Sequence, residues 1–337
     1  MWHLNKILFG SSLALGTMVA ISSYSWMGMW MGLEINLLSF IPLISMPKNS
    51  YSSESALKYF IAQASASTML LLSLVILSSK TTYLMEKSDY AMTILNTSLL
   101  LKMGAAPLHF WFPEVIEGLS WTNVAILLTW QKIAPMILLI YSNKTMILMF
   151  TIVISCMVVS GIMGQNHLSL RKIMAYSSIN HIGWMIAASL FMETVWLVYF
   201  VIYTIITLNI VILFKNLNIF YMKQLVLSMS YEPLVKLFFI LNFLSLGGLP
   251  PFLGFLPKWL TIQIMTENQF FLLSIIMIVS TLATLFFYMR VTFSSFLLSS
   301  NSILGLPHPL ANKTVITTVN LVTLASLILS TLVFNWL

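Results

Sequence analysis

Charge is scarce in this chain. Only 7% of its 337 residues are Asp, Glu, Lys or Arg, whereas 59% are hydrophobic, and mean hydropathy is +0.95. Soluble domains carry about 25% charged residues, so a water-soluble fold of this length could not cover its surface. Aspartate occurs once, as Asp89, which leaves no pair for an intramembrane aspartyl protease. Cysteine also occurs once, as Cys156 within an apolar run, which excludes an internal disulfide, iron–sulfur ligation and a thiol-rich metal site. HExxH and GxSxG are missing, and with them zinc and serine hydrolysis. GxGxxG and a P-loop are missing too, so nothing in the chain offers to bind NADH, flavin or ATP. Net charge is +7, but the sixteen Lys and Arg are scattered singly and form no face for nucleic acid.

What the sequence has is long apolar runs. About 20 such residues cross a bilayer as a helix. Eleven spans are expected, at 5–22, 26–46, 57–79, 90–106, 124–142, 145–164, 172–191, 194–215, 235–262, 269–297 and 314–336. Residues 107–119 are too few to cross alone and complete the fourth span after a break. Short strands of alternating polarity are absent, which argues against a β-barrel. The predicted class is therefore an all-α polytopic membrane protein forming a single membrane domain over 1–337. The first residues, MWHLNKILFGSSLALGTMVAISS, contain neither a small-residue cleavage site nor an Arg-rich presequence, so no removable leader is expected. Cationic loops set orientation. Lys6, Lys48, Arg171, Lys172, Lys215, Lys223, Lys236 and Lys313 fall on the side of the N-terminus, against Lys80, Lys87 and Lys144 opposite. The N-terminus is expected on the negative, cytoplasm-like side.

Two segments correspond. GAAPLHFWFP (104–113) and GLPPFLGFLP (248–257) align Gly104 with Gly248, Pro107 with Pro251 and Pro113 with Pro257 at an offset of 144. Five spans separate them, and an odd shift inverts the second copy, as in transporters built from inverted repeats. The expected division is a first five-helix repeat at 1–143, a second at 144–299 and an extra helix at 300–337, with discontinuous helices near Pro107 and Pro250-Pro251.

Four ionisable residues lie deep in apolar runs: Glu34, Lys102, Lys132 and Lys258. Each would cost about 2.5–3.5 kcal/mol at the bilayer centre, and all four about 10–14 kcal/mol if unpaired. They are therefore expected to face one another or water. Lys58, Lys215 and Lys236, nearer span ends, are expected to snorkel. Pro107 and Pro250-Pro251 break their helices, and Pro135 follows Lys132 by three residues; freed carbonyls at such depth are tolerated where they line a wet cavity. The chemistry these groups permit is proton transfer. A dry lysine gives up its proton more readily, and a neighbouring carboxylate holds it there. Glu34 with Lys102 forms the expected switch, Lys132 receives the proton and Lys258 passes it out. His109 and His181 are candidate way stations, against the commoner role of a lone buried histidine as a satisfied interior residue.

LKMGAAPLHFWFPEV (101–115), LLTWQKIAP (127–135), LRKIMAYSSINHIGWM (170–185) and SLGGLPPFLGFLPKW (245–259) resemble the antiporter-like membrane subunits of mitochondrial NADH:ubiquinone oxidoreductase (complex I), in particular the short, insect-like subunit 2 branch. The resemblance spans nearly the whole chain. It implies two inverted five-helix repeats, and its pairing Glu and Lys, central Lys and second broken-helix Lys fall on Glu34, Lys102, Lys132 and Lys258. It implies proton translocation coupled to NADH oxidation and ubiquinone reduction on other chains. NADH, FMN, iron–sulfur clusters and ubiquinone would then be bound by other subunits, with no cofactor here. Implied partners are the other membrane-arm subunits, neighbouring antiporter-like subunits included, and inner-membrane lipids such as cardiolipin, but no nucleic acid. The implied location is the mitochondrial inner membrane, N-terminus in the matrix, and the 23 Met suit a chain encoded in the organelle. Longer bacterial-type relatives have about three more N-terminal helices. The loop before Arg171 departs from the family's N-Q-T pattern, with Asn166, His167 and Leu168 in its place. A cation/proton antiporter subunit, or a spacer that transmits conformational change, remain open as alternatives.

Overall fold

A computed structural model describes residues 2–45, 49–78, 85–142, 145–229, 233–250 and 252–297. The eleventh expected span, together with Lys48, Lys80, Lys144, Pro251 and Lys313, lies outside them. The described residues are almost wholly helical and divide into two compact units, Met1–Cys156 and Met157–Leu337. The boundary between the units falls within one helix, Met146–Met163.

In the first unit, α1 (Trp2–Ser22) and α2 (Trp26–Ile44) form a hairpin closed at Ser25, whose side chain accepts from the Gly28 N–H. The two cross closely because a Cβ on Gly32 would strike the Ala20 backbone. The α3 helix (Ser50–Ser78) packs on α2, on α4 (Met85–Met103) and on the short α5 (Trp111–Gly118). Together α4 and α5 are the fourth span with its interruption, as the sequence predicts. The span expected at 124–142 is present as Trp121–Tyr141, distorted at one residue into α6 (Trp121–Leu128) and α7 (Trp130–Tyr141). The discontinuity sits at Thr129, six residues before Pro135: its hydroxyl bonds back to the Ala125 carbonyl at 2.7 Å, a local competition that bends helices. Next comes α8 (Met146–Met163), which runs from the first unit into the second.

The second unit is built around α9 (Leu170–Phe191), in which residues 173 to 190 are all buried. Around it lie α10 (Glu193–Leu217), α11 (Met222–Met229), α12 (Pro233–Gly247), α13 (Phe255–Glu267) and α14 (Phe271–Leu297). The α11 helix was not foreseen. Its start is tied back to α9 by a two-residue bridge in which Leu170 N–H donates to Phe220 and Met222 N–H to Leu168.

Among the described residues, seven helical stretches are long and apolar enough to cross a membrane on their own, α6 and α7 counting together as Trp121–Tyr141. The shortfall against eleven has physical causes. The charges of α4 and the Ser, Asn, His and Arg of α9 dilute their hydropathy, α12 and α13 are two halves of one expected span, and the last span is not described.

Candidate functional site: buried lysines at two helix breaks

Both breaks end in the same way. At the end of α4, Gly104 has φ +75°, its N–H donates to Leu101 O at 3.1 Å, and Ala105 N–H donates to Leu100 O at 3.0 Å. At the end of α12, Gly248 has φ +77°, its N–H donates to Ser245 O at 2.9 Å, and Leu249 N–H to Leu244 O at 3.3 Å. This is the left-handed glycine cap that closes a helix C-terminus. The two glycines aligned by the offset of 144 thus do the same job.

Backbone groups left over at such a break must find partners, since water is not freely available. At the first break neutral side chains supply them. Trp111 Nε1 donates to Leu101 O at 3.1 Å, Gln63 Nε2 to Lys102 O at 3.1 Å and Ser155 Oγ to Ala106 O at 2.7 Å, while Ala106 N–H donates to Cys156 Sγ at 3.2 Å. Lys102 itself is therefore not used as a cap. It is 6% exposed and Lys132 only 1%. The two line a common gap with Tyr59, Gln63, Trp111 and Gln131, and its free volume, ≈ 10 Å³, is about what one water needs. Gln131 spans that gap's edge: it donates to Asn36 Oδ1 at 2.9 Å and accepts from Tyr59 OH at 3.4 Å. Lys132 Nζ stands 5.7 Å above the Phe112 ring, a cation–π distance.

Glu34 is half-buried on α2, two residues before Asn36. It acts on Lys102 electrostatically, yet no ion pair within 4.0 Å joins them. The expected direct pairing is thus absent in this conformation. His109 sits in the break, with Nδ1 3.2 Å from Pro107 O and its ring against Phe110 at 4.6 Å; it does not line the gap.

At the second break the lysine is the cap. Lys258 Nζ donates to Gly247 O at 2.8 Å and to Leu246 O at 3.4 Å. A cation is favoured there because the helix C-terminus carries partial negative charge. Its stem lies against Gly248, where a Cβ would come within 2.7 Å of Cδ, so glycine is needed for room as well as for φ. Lys258 Nζ is 5.9 Å from the Trp184 ring on α9. One helical turn earlier, buried His181 places Nδ1 2.9 Å from Tyr199 OH and its ring 5.0 Å from that of Tyr203.

Lys102 and Lys132 are therefore brought together in the first unit, and His181 and Lys258 flank Trp184 in the second. Tyr59, Gln63, Gln131, Tyr199 and Tyr203 were not foreseen. A signal existed for two of them: Gln63 and Gln131 are amides in otherwise apolar runs, and Gln131 adjoins Lys132.

Residues 23–284 match the family model described as NADH:quinone oxidoreductase/Mrp antiporter, TM. NADH-ubiquinone oxidoreductase chain 2 of Anopheles gambiae is 50% identical over 303 residues, 89% of this chain and 88% of its own length. The chain belongs to the NADH-ubiquinone oxidoreductase chain 2 family. The Aedes aegypti member of that family is 46% identical and aligns over 99% of both chains. Among solved structures, a chain of respiratory complex I from Thermus thermophilus superposes with TM-score 0.87 at 22% identity, covering 98% of this chain and 79% of its own. A chain of the Mrp complex from Dietzia sp. DQ12-45-1b superposes with TM-score 0.81 at 15% identity, covering 96% and 74%. At those identities the two structures establish the chain 2 family's fold, an antiporter-like bundle of membrane helices.

Proposed function

We propose that this chain is a proton-translocating membrane-arm subunit of the mitochondrial inner-membrane NADH:ubiquinone oxidoreductase, with NADH, FMN, iron–sulfur clusters and ubiquinone held by other subunits. The curated relatives of chain 2 name support membership of that enzyme. The observation that carries the translocation reading is the shared gap between Lys102 and Lys132. Two buried lysines facing one water-sized space, lined by a phenol and two amides, have the parts for passing a proton. Glu34 is the switch: its charge acts on Lys102, and moving it away lets the proton pass on toward Lys132. His181 and Lys258 carry the second half-path, and His109 is a side station at the first break. Partners are the other membrane-arm subunits and lipids such as cardiolipin, with the N-terminus in the matrix. The chain is organised as a first five-helix repeat at 1–143, a second at 144–299 and an extra helix at 300–337.

Replacement of Glu34 by Gln and by Asp in the assembled enzyme tests this. Gln lowers protons moved per electron and Asp largely preserves them; equal ratios in both variants overturn the switch. The fold likeness to the Mrp complex favours one other reading, a cation/proton antiporter subunit. Sodium-dependent translocation uncoupled from electron transfer would support that reading instead.

A further inference from the structure

Four aromatic hydroxyl or imidazole groups are buried together in the second unit, and only one of them enters the proton path above. His181 lies on α9, the most enclosed helix. Tyr199 and Tyr203 project from α10 one turn apart, and Tyr288 on α14 is near enough to interact electrostatically with both. All four are at most 4% exposed. The two α10 tyrosines treat the imidazole differently. Tyr199 meets it through its hydroxyl, 2.9 Å from Nδ1, with the ring centroids 5.9 Å apart. Tyr203 meets it through its ring face at 5.0 Å, tilted by 43°.

A hydrogen bond at one ring nitrogen decides which nitrogen carries the proton in the neutral imidazole and which is left to exchange it. It also fixes ring rotation, because the second nitrogen must then point the opposite way. We propose that Tyr199 is the positioning residue for His181: its hydroxyl holds Nδ1 and so commits Nε2 to proton exchange, while Tyr203 confines the ring by packing alone. When His181 is neutral its proton sits on Nδ1 and is donated to the Tyr199 oxygen, which leaves Nε2 as the basic nitrogen. When Nε2 accepts a proton, the Nδ1–H···O bond is kept and the imidazolium stays held by the same phenol oxygen. Tyr199 thus serves both states through one acceptor oxygen, without losing its own proton. The other titratable groups in this layer are Tyr203 of α10, Tyr288 of α14 and Lys258 of α13 beside Trp184.

This rests on the proposed relay through His181, and the test separates the two. Three variants are compared in the assembled, membrane-reconstituted enzyme: Tyr199→Phe, Tyr203→Phe and His181→Gln. Proton translocation and NADH:quinone electron transfer are measured together across pH. Tyr199→Phe keeps the ring and removes one hydroxyl; it lowers the translocation rate about fivefold at neutral pH, the factor that corresponds to one hydrogen bond of about 1 kcal/mol, and displaces the pH profile. Tyr203→Phe, which keeps the face toward His181 and gives up only the hydroxyl's bond to Ser178 on α9, leaves the pH profile undisplaced. If His181→Gln impairs translocation while Tyr199→Phe matches the parent in rate and profile, the positioning role is wrong and the relay stands. If His181→Gln is without effect, the relay through this histidine fails. Equal impairment in both tyrosine variants with an undisplaced pH profile indicates packing and overturns the assignment to Tyr199.

Discussion

Lys258 Nζ donates to the carbonyl of Gly247 at 2.8 Å, so the ammonium of one helix half closes the C-terminus of the other. At the first break, by contrast, the comparable carbonyls are closed by Trp111, Gln63 and Ser155, and the nearby lysine is left to face a water-sized gap. The same glycine geometry thus supports two different uses of lysine. At the second break, changes in the lysine's charge act directly on the backbone of the interruption.

That difference predicts different responses to neutralisation. Lys258→Met leaves the Gly247 carbonyl without its donor, a loss of about 1–3 kcal/mol for a buried unsatisfied acceptor. Amide hydrogen exchange across residues 248–256 of the assembled enzyme accelerates. Lys102→Met leaves the caps of its own break in place, and exchange across 104–112 stays at the parent rate. Acceleration at both breaks, or at neither, would refute the distinction.

Gly248→Ala should be more damaging than its size suggests. Alanine in the left-handed region costs about 1–2 kcal/mol, and here the added methyl also meets the Lys258 stem. Thermal unfolding of the assembled enzyme reads the loss. Gly10, around which a Cβ would find open space, serves as the control, and Gly10→Ala leaves the midpoint unchanged or raises it slightly.

The helical character of the chain and the places where helices must break were legible because they follow from hydropathy and from glycine and proline. Gly104 and Gly248 could be matched by an offset, and the structure gives them one geometry. Charges at depth marked Lys102, Lys132 and Lys258, and all three are buried. What a linear reading could not supply was tertiary. Tyr59, from α3, reaches Gln131, and Tyr199 reaches His181 only because helices distant in sequence lie side by side. The Thr129 interruption was missed because a threonine's bond to its own helix leaves no mark in hydropathy, and Pro135 drew attention to the wrong turn. The separation of Glu34 from Lys102 was equally invisible: opposite charges predict attraction but not the distance at which packing holds them.

Gln131 offers a sharper probe of the gap than either lysine. Gln131→Leu removes the bonds to Asn36 and Tyr59 and makes the lining more apolar, so that a water there loses polar partners. Proton translocation slows several-fold while electron transfer through the other subunits persists. Full retention of translocation would show that the gap is not on the path.

Lys58 should matter far less. It bridges Glu54 at 3.0 Å and Glu114 at 2.8 Å, but its side chain is 40% exposed and the glutamates are 60% and 56% exposed. Half-exposed pairs contribute about 0–1 kcal/mol. Lys58→Met is expected to leave assembly, electron transfer and proton stoichiometry within error of the parent in paired assays. A collapse of translocation would place a proton site at that surface cluster instead.

The most direct measurement is the number of protons moved per electron by the assembled, membrane-reconstituted enzyme carrying Lys132→Met. Lys132 is buried and faces the shared gap, so its neutralisation removes a proton site. The account predicts normal assembly with a reduced ratio, or with electron transfer stalled because it can no longer be coupled. An assembled enzyme that turns over at the parent rate and moves the parent number of protons would contradict it, and would leave these buried lysines as parts of a scaffold.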